Sequence, residues 1–329
     1  MLLVSTALLP LVAPVALVIA LIADTVTRTP RVRRTRGIAL VASLILVDFA
    51  GRVLVFGAWL IAPLGTRVHG VKSQRRYRWI MTWWTKALMG TICAITPLPL
   101  DLSELDESLL GGNAIVVGRH RSLLDAVFPA ALFGSRGLTT HYILKEDLCW
   151  EPNIDVVGHR MGHVFVRRSP KDLEAELDPI RNLGTRIDES SVGVIFPEGT
   201  FFNSTRRTRA LASISRRNPE RLKWAEQMNY LLPPRPAGTM AFMEGAPDAD
   251  IIMLGHVGFE PFGTIRDIFN SLGAEHGIIV RAWRFARSTI PDEPTAQIEW
   301  LFERWAEMDE WIASHHPLTP TNTRDHKLT

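Results

Sequence analysis

Cysteine is scarce: the 329-residue chain has only Cys93 and Cys149, with no CxxC pair and no Cys/His spacing suited to zinc. That excludes a disulfide framework and a structural metal site, and it fits a reducing compartment or plain burial of both thiols. Net charge is nearly absent as well, with 37 Lys and Arg against 34 Asp and Glu. The isoelectric point is nevertheless about 9.1, and the arginines are clustered, which suits an acidic partner such as lipid headgroups or nucleic acid. There is no internal repeat, no low-complexity tract and no G-x-S-x-G elbow, so hydrolysis through a serine acyl-enzyme is disfavoured.

Charge is missing altogether from residues 1–23, a stretch long enough to cross a ~30 Å hydrocarbon layer at about 1.5 Å per residue. A signal peptide is the alternative, but no basic segment precedes the run and it exceeds the usual apolar core of such peptides. Arg28, Arg31, Arg33, Arg34 and Arg36 follow, placing this loop on the cytoplasmic side near anionic lipid. A second apolar stretch, 38–63, contains Asp48 and Arg52 at a helical spacing of four. The two can pair within a helix, but they make it a poorer span. Because another basic run follows (Arg67, Lys72, Arg75, Arg76, Arg78), two basic loops on one side point to a re-entrant or interfacial segment. Residues 77–97, with Trp79, Trp83, Trp84 and Lys86, read either as a helix at the headgroup level or as a packed core helix.

Beyond residue 111 short apolar runs alternate with helical periodicity: AIVVGR (114–119), HYILK (141–145), HVFVRR (163–168), VGVIFP (192–197), DIIMLGHV (250–257) and GIIVRAW (277–283). The pattern predicts an α/β fold, a mixed twisted sheet flanked by helices and preceded by N-terminal membrane helices. Residues 1–100 form the anchoring region with its basic loops, and 101–329 the catalytic domain. Ser169-Pro170-Lys171-Asp172 reads as a helix start before Leu173, Leu177, Ile180, Leu183 and Ile187. The arginine-rich 203–230 segment suits a helical excursion or a solvated charged face. Ile298, Leu301, Trp305, Met308 and Ile312 mark an amphipathic C-terminal helix.

Chemistry concentrates in VVGRHRSLLDAVFPA. A strand ends at Arg119, and a helix begins after Ser122. Five residues along one helix turn by about 140°, so His120 must precede the helix for Asp125 to reach it. A carboxylate on one ring nitrogen fixes the tautomer and leaves the other nitrogen to take a proton from an alcohol. A structural or surface histidine is the alternative reading of the pair alone. In VGVIFPEGT, a buried strand gives way to Pro197, Glu198, Gly199 and Thr200. There Gly199 permits close backbone approach, and Glu198 and Thr200 can orient a polar group or an oxyanion.

HRSLLD and FPEGT, some seventy residues apart on a sheet behind membrane helices, together resemble the glycerolipid acyltransferase family. That family includes the lysophosphatidic acid, lysocardiolipin and lysophosphatidylinositol acyltransferases. Lys145-Glu146-Asp147-Leu148 is similar to its Lys-x-x-Leu stretch, and Gly162 to Arg168 resembles its Gly-x-hydrophobic-Phe-hydrophobic-x-Arg motif. The ending IEWLFERWAEMDEWI looks like that of the lysocardiolipin-type branch. Phe201-Phe202-Asn203 departs from the family pattern after FPEGT, so headgroup selectivity does not carry over.

The resemblance implies a membrane-bound O-acyltransferase on the cytoplasmic face with His120 and Asp125 as the catalytic pair. Arg168, Glu198, Gly199, Thr200, Lys145 and Arg206 are implied as substrate-binding residues. The donor would be acyl-CoA or acyl-carrier protein, with no other cofactor and no metal. The acceptor would be a lysophospholipid, most simply 1-acyl-glycerol-3-phosphate, or alternatively lysocardiolipin or lysophosphatidylinositol. Anionic membrane lipid is the expected partner, and nucleic acid is not. A membrane-tethered lipid-binding protein is the non-enzymatic rival.

Overall fold

The structure, a computed structural model, describes residues 2–29, 32–61, 71–96, 99–167, 173–263, 272 and 277–316, apart from the side chains of residues 2–11, 71, 173 and 261. Three long helices come first: α1 (Leu2–Val26), α2 (Arg33–Ile61) and α3 (Val71–Ile95). Strands β1 (Leu100–Asp101) and β2 (Ala114–Gly118), helix α4 (Leu124–Ser135), strand β3 (Thr139–Lys145), helix α5 (Pro152–Met161), strand β4 (Val164–Val166), helix α6 (Leu173–Gly184) and strand β5 (Ser191–Ile195) follow. The rest comprises α7 (Ser204–Arg217), α8 (Leu222–Ala225), α9 (Pro236–Gly245), β6 (Asp250–Val257), β7 (Ile278–Phe285) and α10 (Pro294–His315).

α1 and α2 pack as a hairpin. Asp24, 1% exposed near the end of α1, accepts the amides of Arg34 and Thr35 at 3.4 and 2.9 Å. It thereby satisfies first-turn donors of α2 that no helical carbonyl reaches. Among the described residues α2 is the one helix long and apolar enough to cross a membrane, by length and composition. Asp48 and Arg52 of α2 pair as the spacing predicts. Arg52 also reaches Glu151 at 3.1 Å, while the Asn153 side-chain amide donates to Asp48 Oδ1 at 2.9 Å. The polar notch is thus fastened to the first turn of α5. Of the two readings for α3, core packing holds: it lies against α2, α4 and α5, with Tyr77, Ile80, Met89 and Ile92 buried on its inner faces and Trp79 exposed.

The seven-stranded sheet has the order β1-β7-β6-β2-β5-β3-β4. All neighbours run parallel except β6 with β7, so the sheet is mixed, as its pattern implies. β2 and β5 are buried at every position, which is what continuous apolar runs without alternation mean. One face is covered by α3 and α4, which share an apolar cluster with Leu40 of α2. The opposite face is covered by α6, α9 and α10. α6 and α9 approach so closely that a Cβ on Gly184 would lie 2.6 Å from the Gly245 carbonyl carbon. Of the predicted C-terminal stripe, Leu301, Trp305, Met308 and Ile312 are all at most 1% exposed.

The parallel strands β2, β5, β3 and β4 end on one edge of the sheet. This carboxyl edge receives His120, the Pro197–Thr200 turn and Lys145. Ligands bind at this edge in open α/β sheets.

Candidate active site

His120 and Asp125 are brought together as the spacing requires. His120 sits in the loop after β2, and α4 starts at Leu124, so the chain folds back rather than carrying both residues on one helix. His120 Nδ1 lies 3.5 Å from Asp125 Oδ2, with the histidine side chain 15% exposed and the carboxylate 1%. Oδ2 also accepts the amides of Arg121 and Ser122, and Oδ1 accepts the Ser122 hydroxyl at 2.9 Å. Burial would raise the pKa of Asp125, but the field of the His256 ring and hydrogen bonding from His120 hold it well below the usual carboxylate range. A fixed anion beside Nδ1 leaves Nε2 of His120 as the nitrogen free to exchange a proton. The imidazole stacks on Phe196, with ring centroids 4.7 Å apart, and meets the tilted ring of Phe201 with centroids 4.4 Å apart.

The role expected for Glu198 changes. Instead of facing a substrate, it is 2% exposed, and both oxygens serve backbone amides, His120 N at 2.7 Å and Leu232 N at 2.9 Å. It holds the backbone of His120 from behind. Burial pushes its carboxyl up to about 8, against the pull of those two hydrogen bonds and of Arg119. Gly199 has φ of +66°, a left-handed conformation that glycine adopts without strain. It completes a turn in which its amide donates to the Phe196 carbonyl at 3.1 Å. Thr200 follows half-buried at the rim.

Lys145 ends β3 opposite Val166 of β4, on the same sheet edge two strands from β2. Arg206 lies in the first turn of α7, and its guanidinium donates to the Phe201 carbonyl at 2.7 Å. It is therefore tied to the loop that walls His120. Arg168 and the Ser169-Pro170 helix start lie outside the described residues.

Four side chains at the site escape sequence reading. Arg119, 2% exposed, donates to the His256 carbonyl and to Glu260 at 2.7 Å. Glu260 in turn accepts the Gly258 amide at 2.7 Å. Arg121 donates to the Phe202 carbonyl and lies over the Phe202 ring at 5.3 Å. Burial and the charge of Arg119 lower its guanidinium pKa. His256, at the end of β6, puts Nε2 3.0 Å from Asp125 Oδ1. The available signal was a histidine next to last in a strand whose other residues after Asp250 are apolar.

Residues 100–249 match the family model described as Acyltransferase. Over 99 residues the chain is 31% identical to the 1-acyl-sn-glycerol-3-phosphate acyltransferase epsilon of Mus musculus, a match covering 28% of this chain and 26% of that relative. Over 299 residues it is 22% identical to Lysocardiolipin acyltransferase 1 of Danio rerio, covering 87% of this chain and 72% of that one. The chain thus spans about a quarter of the mouse relative and nearly three quarters of the fish one. The crystal structure of PlsC, the 1-acyl-sn-glycerophosphate (LPA) acyltransferase from Thermotoga maritima, matches with a TM-score of 0.54. That match covers 86% of this chain and 98% of that one at 12% identity, a likeness of fold.

Proposed function

We propose that this chain, whose residues 100–249 match the Acyltransferase family model, moves a fatty acyl group from an acyl thioester to a hydroxyl of a phosphate-bearing lysophospholipid. The first assignment of the acceptor is 1-acyl-glycerol-3-phosphate, giving phosphatidic acid. The donor is acyl-CoA or acyl-carrier protein. The observation that carries this reading is the backed histidine: Nδ1 faces a buried carboxylate at 3.5 Å at the carboxyl edge of the sheet.

In the reaction, His120 Nε2 takes the proton of the acceptor hydroxyl as its oxygen attacks the thioester carbonyl carbon. A C–O bond forms, and the carbonyl electrons move onto oxygen. When the tetrahedral species collapses, the C–S bond breaks, and the sulfur leaves as a thiol with the proton returned from the imidazolium. Asp125 stabilises that imidazolium, and general acid–base catalysis of this kind contributes about 10²–10⁴-fold. No acyl-enzyme is needed. Gly199, Thr200 and Lys145 line the acceptor side of the edge, and Arg168, Arg206 and Arg121 supply guanidinium groups suited to its phosphate.

The exposed apolar side chains of the hairpin, among them Val15, Ile19, Phe56 and Leu60, suit contact with hydrocarbon. The arginines at its turn suit anionic headgroups on the cytoplasmic side. A second acceptor, lysocardiolipin, is favoured by the longer match to the fish relative.

The test is acyl transfer from labelled acyl-CoA and acyl-carrier protein to a panel of lysophospholipids, by wild type and His120→Ala. Transfer by wild type and a loss of about 10²–10⁴-fold in the variant is expected. Equal rates in the two would leave a lipid-binding protein.

A further inference from the structure

His256 is buried against the catalytic carboxylate from the side opposite His120. Its side chain is 4% exposed, with Nε2 3.0 Å from Asp125 Oδ1. That is an ion-pair distance, and neither ring nitrogen has a hydrogen-bond partner among the described residues. A buried imidazole N–H without an acceptor is costly, so Asp125 is the group this ring is built to meet. The backbone is fixed too. The His256 carbonyl accepts Arg119 Nη1, Arg119 is held by Glu260, and the ring packs on Phe259 with centroids 4.4 Å apart. The two histidines therefore divide the carboxylate between them, His120 on Oδ2 and His256 on Oδ1.

We propose that His256 is a positioning residue for the acyl transfer inferred above: its Nε2–H holds Asp125 Oδ1, so that Oδ2 stays aimed at His120 Nδ1. Asp125 comes from the start of α4 and His256 from the end of β6, so the contact joins two elements that no hydrogen bond of this carboxylate spans. The remaining donors to Asp125, from Arg121 and Ser122, belong to its own loop and move with it. His256 is less exposed than His120 and lies behind the carboxylate, which suits it to hold Asp125 and not to accept the substrate proton.

The experiment compares His256→Phe and His256→Gln with wild type, measuring kcat, KM for both substrates and thermal midpoint. Glutamine can place an N–H donor where Nε2 stood, and phenylalanine keeps the ring without a donor. Expected is a fall in kcat of about 10- to 100-fold in the phenylalanine variant, the loss due to one hydrogen bond to a charged group. KM should be unchanged, and kcat in the glutamine variant should recover to within about threefold of wild type. Wild-type kcat in His256→Phe overturns the proposal, as does equal impairment of both variants with a lowered midpoint.

A readout free of activity is the nitrogen NMR signal of His256 in the detergent-solubilised protein. Asp125→Asn should shift it, and an unmoved signal overturns the contact. Should wild type transfer no acyl group to any acceptor, the functional reading fails, while the NMR result still decides whether His256 holds Asp125.

Discussion

Two carboxylates reach the His120 loop from the ends of neighbouring strands, and their surroundings drive them in opposite directions. Asp125, beside β2, meets two imidazoles, two amides and a hydroxyl, and is held below the usual range. Glu198, after β5, meets only two amides, and burial pushes it up to about 8. Equal burial with unequal donors gives one carboxylate that stays ionised between two imidazoles and another that fixes backbone. The part each acid plays near the histidine is thus assigned by what it touches and not by its distance from the ring.

The contrast is broken first at Asp125. Asp125→Asn keeps the shape and removes the charge, and kcat should fall about 10³-fold or more, by analogy with loss of the orienting acid in hydrolytic triads. A loss below tenfold in steady-state assays would place Asp125 with Glu198 as scaffold. Next, Glu198→Gln leaves one amide facing an NH₂ instead of an oxygen. Stability should drop by about 1–3 kcal/mol in denaturant titrations.

The pH dependence of stability sharpens the same point. Glu198 has a folded pKa of about 8, above its ordinary value of 4.5, so the fold binds its proton more tightly than the unfolded chain does. That contribution is complete below about pH 4.5 and is lost as pH rises through about 8. Melting of Glu198→Gln across this window should therefore show a shallower decline than wild type. Asp125 acts oppositely, its contribution being present above its ordinary pKa and lost on acidification.

The smallest effect tests how far the scaffold reaches. Trp305 of α10 donates its indole N–H to the Leu232 carbonyl at 3.0 Å, and the Leu232 amide holds Glu198. Asp309 of α10 caps the same stretch by accepting the amides of Asn229, Tyr230 and Leu231. Trp305→Leu should cost stability chiefly through packing, with kcat falling a few-fold and KM unmoved. An unchanged kcat would confine the scaffold to Glu198 itself.

Much of this arrangement was legible in the chain. The apolar runs locate six of the seven strands, since β-rich segments bounded by turns are the strongest local signal. β1 escaped because two residues carry no period. The His120 junction was readable because helical rotation forbids the alternative. What could not be read is which groups a buried side chain meets. Glu198 and His256 acquire their roles from Leu232, His120 and Asp125, partners far away in sequence, and no spacing rule encodes such contacts. The Arg52–Glu151 link is of the same kind: the intrahelical half of the pair was predictable from the four-residue step, the inter-element half was not.

The aromatic packing around His120 has a consequence for the order of events in a turnover. With Phe196 stacked on the imidazole face and Phe201 tilted against it, a half-turn of the ring about its Cβ–Cγ bond would have to displace both phenyl rings. In the acyl transfer proposed above, the proton that arrives on one nitrogen then leaves from that same nitrogen. Resetting the base thus requires no ring flip, and the direction of proton flow is set by which substrate atom stands opposite Nε2, first the alcohol oxygen and then the departing sulfur.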